Sequence, residues 1–194
     1  MPDDKNLNTV QQYVGDMVAL ESHIEEAIDR QLDEVKDHPQ AAQAVRQFHD
    51  TVKTHRDGLK AHLKSIGGSE SSPIKNAVAG VFGVAAGLVD KIRTETVSKS
   101  LRDDYTAFNL AAIGYGMLYT TASALNQQST AQLAQRHLRD YAQATQKINQ
   151  IMPEIVIWEL RKDGHMVNDS AAQQAVKTIN EAWKETSPSA VGGA

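Results

Sequence analysis

The sequence predicts an all-α protein organised as an up-down four-helix bundle. Three observations carry that reading. Apolar residues recur at steps of three and four over long segments, stop signals separate those segments, and no strand-like alternation of useful length occurs. The 194 residues are enough for one domain with a core, or for a bundle with small appendages.

The first segment runs from about Leu7 to Asp37, with Val10, Val14, Met17, Val18, Ile24, Ile28, Leu32 and Val35 on one face. Pro39 ends it. The second, about Gln40 to Ile66, turns Val45, Phe48, Val52, His55, Leu59, His62 and Ile66 inward, and Gly67-Gly68 stops it. The third, Pro73 to Arg93, is of another kind: Ala77 to Val89 carries no charge and includes Gly80, Gly83 and Gly87. Such glycines lower helix propensity and permit close backbone approach.

The fourth segment, about Ser98 to Asn126, lines up Leu101, Tyr105, Phe108, Ala112, Tyr115, Leu118 or Tyr119, Ala122 and Leu125. The fifth, about Ser129 to Met152, places Leu133, His137, Tyr141, Ala144, Ile148 and Ile151 inward. Pro153 is expected to break the chain before a short helix from Glu154 to Arg161. A last amphipathic helix, about Asp169 to Trp183, has Asp169 as its expected N-cap, and the tail Ser187 to Ala194 is expected to be loose.

Short links join the first segment to the second and the fourth to the fifth, and a long link of about thirty residues joins the two hairpins. One long crossover between two helical pairs is the connectivity of ferritin-like bundles. The expected organisation is a bundle over residues 1–152, with its crossover at 67–100 carrying an extra helix, a C-terminal helical extension at 153–186, and a flexible tail at 187–194.

The stripes are not purely apolar. Glu21 and Glu25 on the first helix, His55 on the second, Tyr115 on the fourth segment, and His137 with Tyr141 on the fifth all point toward the core. Ionisable groups in such places need a partner, because a bundle otherwise fills them with Leu, Ile or Val. Imidazole and carboxylate together suit zinc, iron or manganese.

Other chemistries are excluded or unsupported. With no cysteine there is no disulfide, thiolate nucleophile or iron–sulfur cluster. A net charge of −4 gives no general attraction to nucleic acid. No glycine-rich phosphate loop is present, and no apolar run reaches the roughly 20 residues that span a bilayer. The polar start, Met1 to Asn8, is unlike a signal peptide, and a cytoplasmic location is expected.

Several stretches resemble one family. Phe48-His49-Asp50-Thr51 through His55 to Leu59 and Ile66-Gly67 is similar to the histidine-rich second helix of the stress-associated ferritin-like proteins of the YciE/YciF type (DUF892-like). Ala112-Ile113-Gly114-Tyr115-Gly116 resembles that family's third bundle helix, and Leu133 to Ile148 its fourth. The resemblance covers roughly residues 8 to 152 and implies a bacterial, cytoplasmic, often dimeric protein linked to stress.

A ferritin-like di-iron site takes a Glu from each of two helices and a Glu-x-x-His from each of the others. Glu21 supplies one, with Glu25 a turn on. The paired slots read Val52-x-x-His55 and Ala134-x-x-His137, so both histidines are present and both glutamates are apolar. No carboxylate lies between Asp104 and Asp140. The di-iron site is therefore degenerate, and ferroxidase chemistry is not expected.

The candidate metal ligands are Glu21, Glu25, His55 and His137, with Tyr115, Tyr141 and Asp140 behind them. The leading expectation is a binding or structural bundle with at most a residual His/Glu metal site, iron, manganese or zinc being the candidate ions. One alternative is a redox enzyme with a site rebuilt from Glu21, His55, His137 and Asp140. A second is an assembly or membrane-peripheral protein acting through Ala77 to Val89. The expected partner is a second copy of the chain, with a further protein partner left open.

Overall fold

The computed structural model describes residues 2–69 and 97–186, all numbers below referring to these. They form five helices and no strand: α1 (Pro2–Glu34), α2 (Pro39–Ser65), α3 (Val97–Ala124), α4 (Gln128–Lys162) and α5 (Ala171–Thr186). The apolar helix expected within Pro73–Arg93, the crossover role of 70–96 and the tail 187–194 lie outside the described residues.

Helices α1 to α4 make the bundle. Near one end Gln11 Nε2 donates to Ile66 O at 2.7 Å, which sets α2 antiparallel to α1. At the other end Ser100 Oγ donates to Glu34 Oε2 at 2.7 Å, so α3 begins where α1 finishes. His62 Nε2 lies 2.7 Å from Thr130 Oγ1, pairing the end of α2 with the start of α4. The run is therefore up, down, down, up, with α2 ending and α3 beginning at opposite ends of the bundle. This is the ferritin-like arrangement expected from the link lengths.

Local chemistry explains the turns. Pro39 opens α2 at a position whose N–H is not needed, and His38 Nδ1 accepts from Ala41 N at 3.2 Å as the N-cap. Gly67 ends α2 with φ of +80°, where a Cβ is disfavoured. Asn126 adopts the same left-handed region, φ 58°, in the tight link from α3 to α4.

The core follows the periodic positions. Val10, Val14, Ile24 and Ile28 of α1, Val45, Val52 and Leu59 of α2, Leu101, Phe108 and Leu118 of α3, and Ile148 and Ile151 of α4 are all buried. Phe108 packs edge-on to Phe48 at 5.1 Å and tilted against Tyr141 at 5.3 Å. Of the two residues that the α3 pattern left open, Leu118 is buried and Tyr119 is exposed.

Two expectations are corrected. Pro153 does not break the chain: α4 runs through it to Lys162, so Glu154–Arg161 is the last part of α4 and not a separate helix. Proline removes one hydrogen bond and crowds the preceding turn, but Ile151, Pro153, Ile155 and Ile157 are all buried, and that packing holds the helix on. Asp169 is not a cap; it pairs with Arg161, while Ser170, just before α5, has its N held by Asn168 Oδ1 at 3.0 Å.

Candidate metal centre in the bundle core

Each bundle helix contributes one face to a polar cluster at mid-height. Steps of three and four put His137, Asp140 and Tyr141 on neighbouring faces of α4. Gly114 lets α3 come close to α1, since a Cβ there would sit 2.9 Å from Met17 Sδ. That approach brings Tyr115, the next residue, to Glu21.

Glu21 is fully buried. Its two oxygens accept from two phenols: Tyr115 OH donates to Oε1, and Tyr141 OH donates to Oε2 at 2.5 Å. Burial first, and then the Glu21 charge, push both phenols well above the usual tyrosine range, so both remain donors. Because Tyr115 gives its hydrogen to Glu21, its oxygen accepts from His137 Nδ1 at 2.9 Å. The lone pair of His137 is then on Nε2. Burial, followed by His55 and Arg136, lowers His137 to about 3, so its ring is neutral.

His55 is the informative residue. Its Nε2 lies 3.0 Å from Asp140 Oδ2 across the seam between α2 and α4, and donates to it. Its Nδ1 is buried, has no hydrogen-bond partner, and stands 3.4 Å from Glu21 Oε1. Two lone-pair atoms that close repel unless a proton or a metal ion lies between them.

Glu21, His55 and His137 each offer one ligand atom, and those atoms lie within 4.8 Å of one another. Two imidazoles and a carboxylate, with a carboxylate behind one imidazole, fit a divalent transition metal. One feature opposes immediate binding. The His55 and His137 rings are stacked, 3.8 Å apart and 12° from parallel. An ion is held best in the plane of an imidazole, and parallel planes do not meet. One ring has to turn about its Cβ–Cγ bond before both nitrogens address one centre.

The structure brings together Glu21, His55 and His137 with Tyr115, Tyr141 and Asp140. It does not bring in Glu25, which points to Arg56 of α2 and forms an ion pair with it. Asp140 is partly exposed and enters only through His55. The slots of the missing glutamates are filled by Val52 and Ala134, both in the apolar core. Tyr115 is the group that α3 sends into the cluster, through its hydroxyl on Glu21 and His137. His62 and His49 stand outside the cluster, His62 near Thr130 and His49 3.7 Å from Asp29. An open groove of about 580 Å³ leads to His55 and His137 between α2 and α4, with Arg136, Asp140 and Lys147 at its walls.

The family model described as a domain of unknown function, DUF892, matches residues 11–160. The chain belongs to the DUF892 family. This is the family of the YciE/YciF-like ferritin-like proteins, so the resemblance read from the helices holds. A crystal structure of a protein from Xanthomonas campestris pv. campestris matches with a TM-score of 0.68 and 15% identity, covering 83% of this chain and 99% of the other. At that identity the match bears on the fold, which the DUF892 chain shares. None of the curated proteins matches the chain. Among the described residues, no helix is long and apolar enough to cross a membrane.

Proposed function

We propose that this DUF892 protein holds a single transition-metal ion through Glu21, His55 and His137, and that it is not a ferroxidase. The observation that carries the reading is His55 Nδ1: buried, without a hydrogen-bond partner and 3.4 Å from Glu21 Oε1, while Asp140 holds the other side of the ring. An imidazole oriented by a carboxylate on its far nitrogen is the usual arrangement of a metal-ligating histidine. Tyr115 and Tyr141 fix both oxygens of Glu21, and Asp140 sets the His55 tautomer. A bound ion supplies Lewis acidity and an open position toward the groove. With Val52, Tyr115 and Ala134 in the slots that carry carboxylates in a di-iron centre, the charge that two irons require is missing.

The ring stack favours a second reading, in which the same six residues are a metal-free polar network that fixes the register of the four helices. One experiment separates the two. The chelator-stripped protein is incubated with Zn2+, Mn2+ or, without oxygen, Fe2+, then desalted and analysed for metal beside His55→Ala and His137→Ala. The metal reading expects about one equivalent in the native chain and little in either variant. No retained metal in the native protein leaves the network reading. Rapid oxidation of about two ferrous ions per chain overturns the exclusion of ferroxidase activity.

A further inference from the structure

A second buried acid lies away from the core centre, on the seam between α1 and α3. Gln31 and Glu34 are three apart on α1, and Ser100 and Asp104 four apart on α3, so each pair shares a helix face. The antiparallel seam sets the pairs against each other. Ser100 Oγ donates to Glu34 Oε2 at 2.7 Å, and Gln31 hydrogen-bonds the Asp104 side chain. Asp104 is only 2% exposed. Its Oδ2 is buried without a hydrogen-bond partner among the described residues, and so is Gln31 Oε1.

Among the described residues, the polar groups acting on Asp104 are Gln31, Asp103 and Glu34, none of them a cation. An isolated buried carboxylate is costly, and adjoining acids raise the cost. Burial, above all, raises Asp104 to about 7. A proton can neutralise it below that pH; above it, the charge calls for a cation. The donors on offer are two carboxylates, an amide oxygen and a hydroxyl, all hard oxygen ligands suited to Mg2+ or Ca2+ and unlike the imidazoles of the core centre. Glu34 is exposed, which gives an ion access and leaves room for water to complete its shell.

We propose that Asp104, Gln31, Glu34 and Ser100 form a second cation site, for a hard divalent ion that ties α1 to α3. The site is independent of the core centre and draws on none of its residues.

The test is thermal melting of the chelator-stripped full chain with and without millimolar CaCl2 or MgCl2, at about pH 8 and about pH 5.5. At the higher pH one of the ions raises the melting temperature by several degrees; at the lower pH the proton competes and the rise shrinks. Asp104→Asn loses the response, and so does Glu34→Gln, an exposed change that leaves the fold in place. His55→Ala keeps it. No rise with either ion at about pH 8, or an equal rise in Asp104→Asn and Glu34→Gln, overturns the proposal and leaves Asp104 as a protonated core carboxyl.

Discussion

The hydroxyl of Tyr141 donates to Glu21 Oε2 at 2.5 Å, joining α4 to α1 through the middle of the bundle. Tyr115 does the same for α3 at the other oxygen. Hydrogen bonds to a charged group contribute about 1.5–3 kcal/mol each. Tyr141→Phe is expected to lose stability in that range by urea unfolding. Glu21→Ala is expected to lose roughly 3–5 kcal/mol, since it strands two buried phenols and opens a cavity. A Tyr141→Phe protein as stable as the native one shows that the phenol contributes nothing to Glu21.

Asp140 and Glu25 should behave oppositely toward metal. Asp140→Ala frees the His55 ring and is expected to weaken metal affinity about 10–100-fold, the usual effect of removing a carboxylate behind a ligating histidine. Glu25→Gln breaks only the pair with Arg56 and leaves affinity unchanged. Competition with a chromophoric chelator reads both. A large loss in Glu25→Gln shows that this residue, and not Asp140, belongs to the centre.

His137 and Asp104 give opposite pH slopes. His137 is lowered from 6.5 to about 3, so its contribution is full above about 6.5 and is lost as pH falls toward 3. Asp104 is raised from 3.8 to about 7, so its contribution is full below 3.8 and is lost as pH rises through 7. Between about pH 4 and 6.5 the two oppose each other. Relative to the native protein in chelator, His137→Gln should gain stability on acidification over that window, and Asp104→Asn should lose it. Melting temperatures across the window decide, and parallel pH curves for all three proteins refute the pairing.

Gly114 controls how close α3 lies to α1. A methyl group there crowds the flexible end of Met17 and meets Leu20 Cδ2 at an ordinary 3.8 Å, and helix propensity favours Ala over Gly by roughly 0.5–1 kcal/mol. Gly114→Ala is therefore expected to be near neutral. Gly114→Leu pushes the helices apart, costs about 1–3 kcal/mol and withdraws Tyr115 from Glu21. If the two variants unfold at the same urea concentration, the contact does not limit packing.

The sequence by itself determined the class and the bundle helices, and it set Glu21, His55 and His137 on faces that are buried. Periodicity shows which face of a helix is buried, and Glu21, His55 and His137 were visible because ionisable residues interrupted apolar stripes. The tertiary structure decided which buried residues meet. Glu21 and Glu25 are equivalent on a helical wheel, one turn apart, yet one turns to two tyrosines and the other to Arg56. Asp104 was not among the inward positions read for its segment, yet it is buried, because its partners Gln31 and Glu34 belong to a helix far away in sequence. Pro153 read as a break because local cost was legible and the burial that offsets it was not. Contacts across helices depend on rotation and axial offset, and these are set by packing at points such as Gly114, which one helix's pattern does not contain.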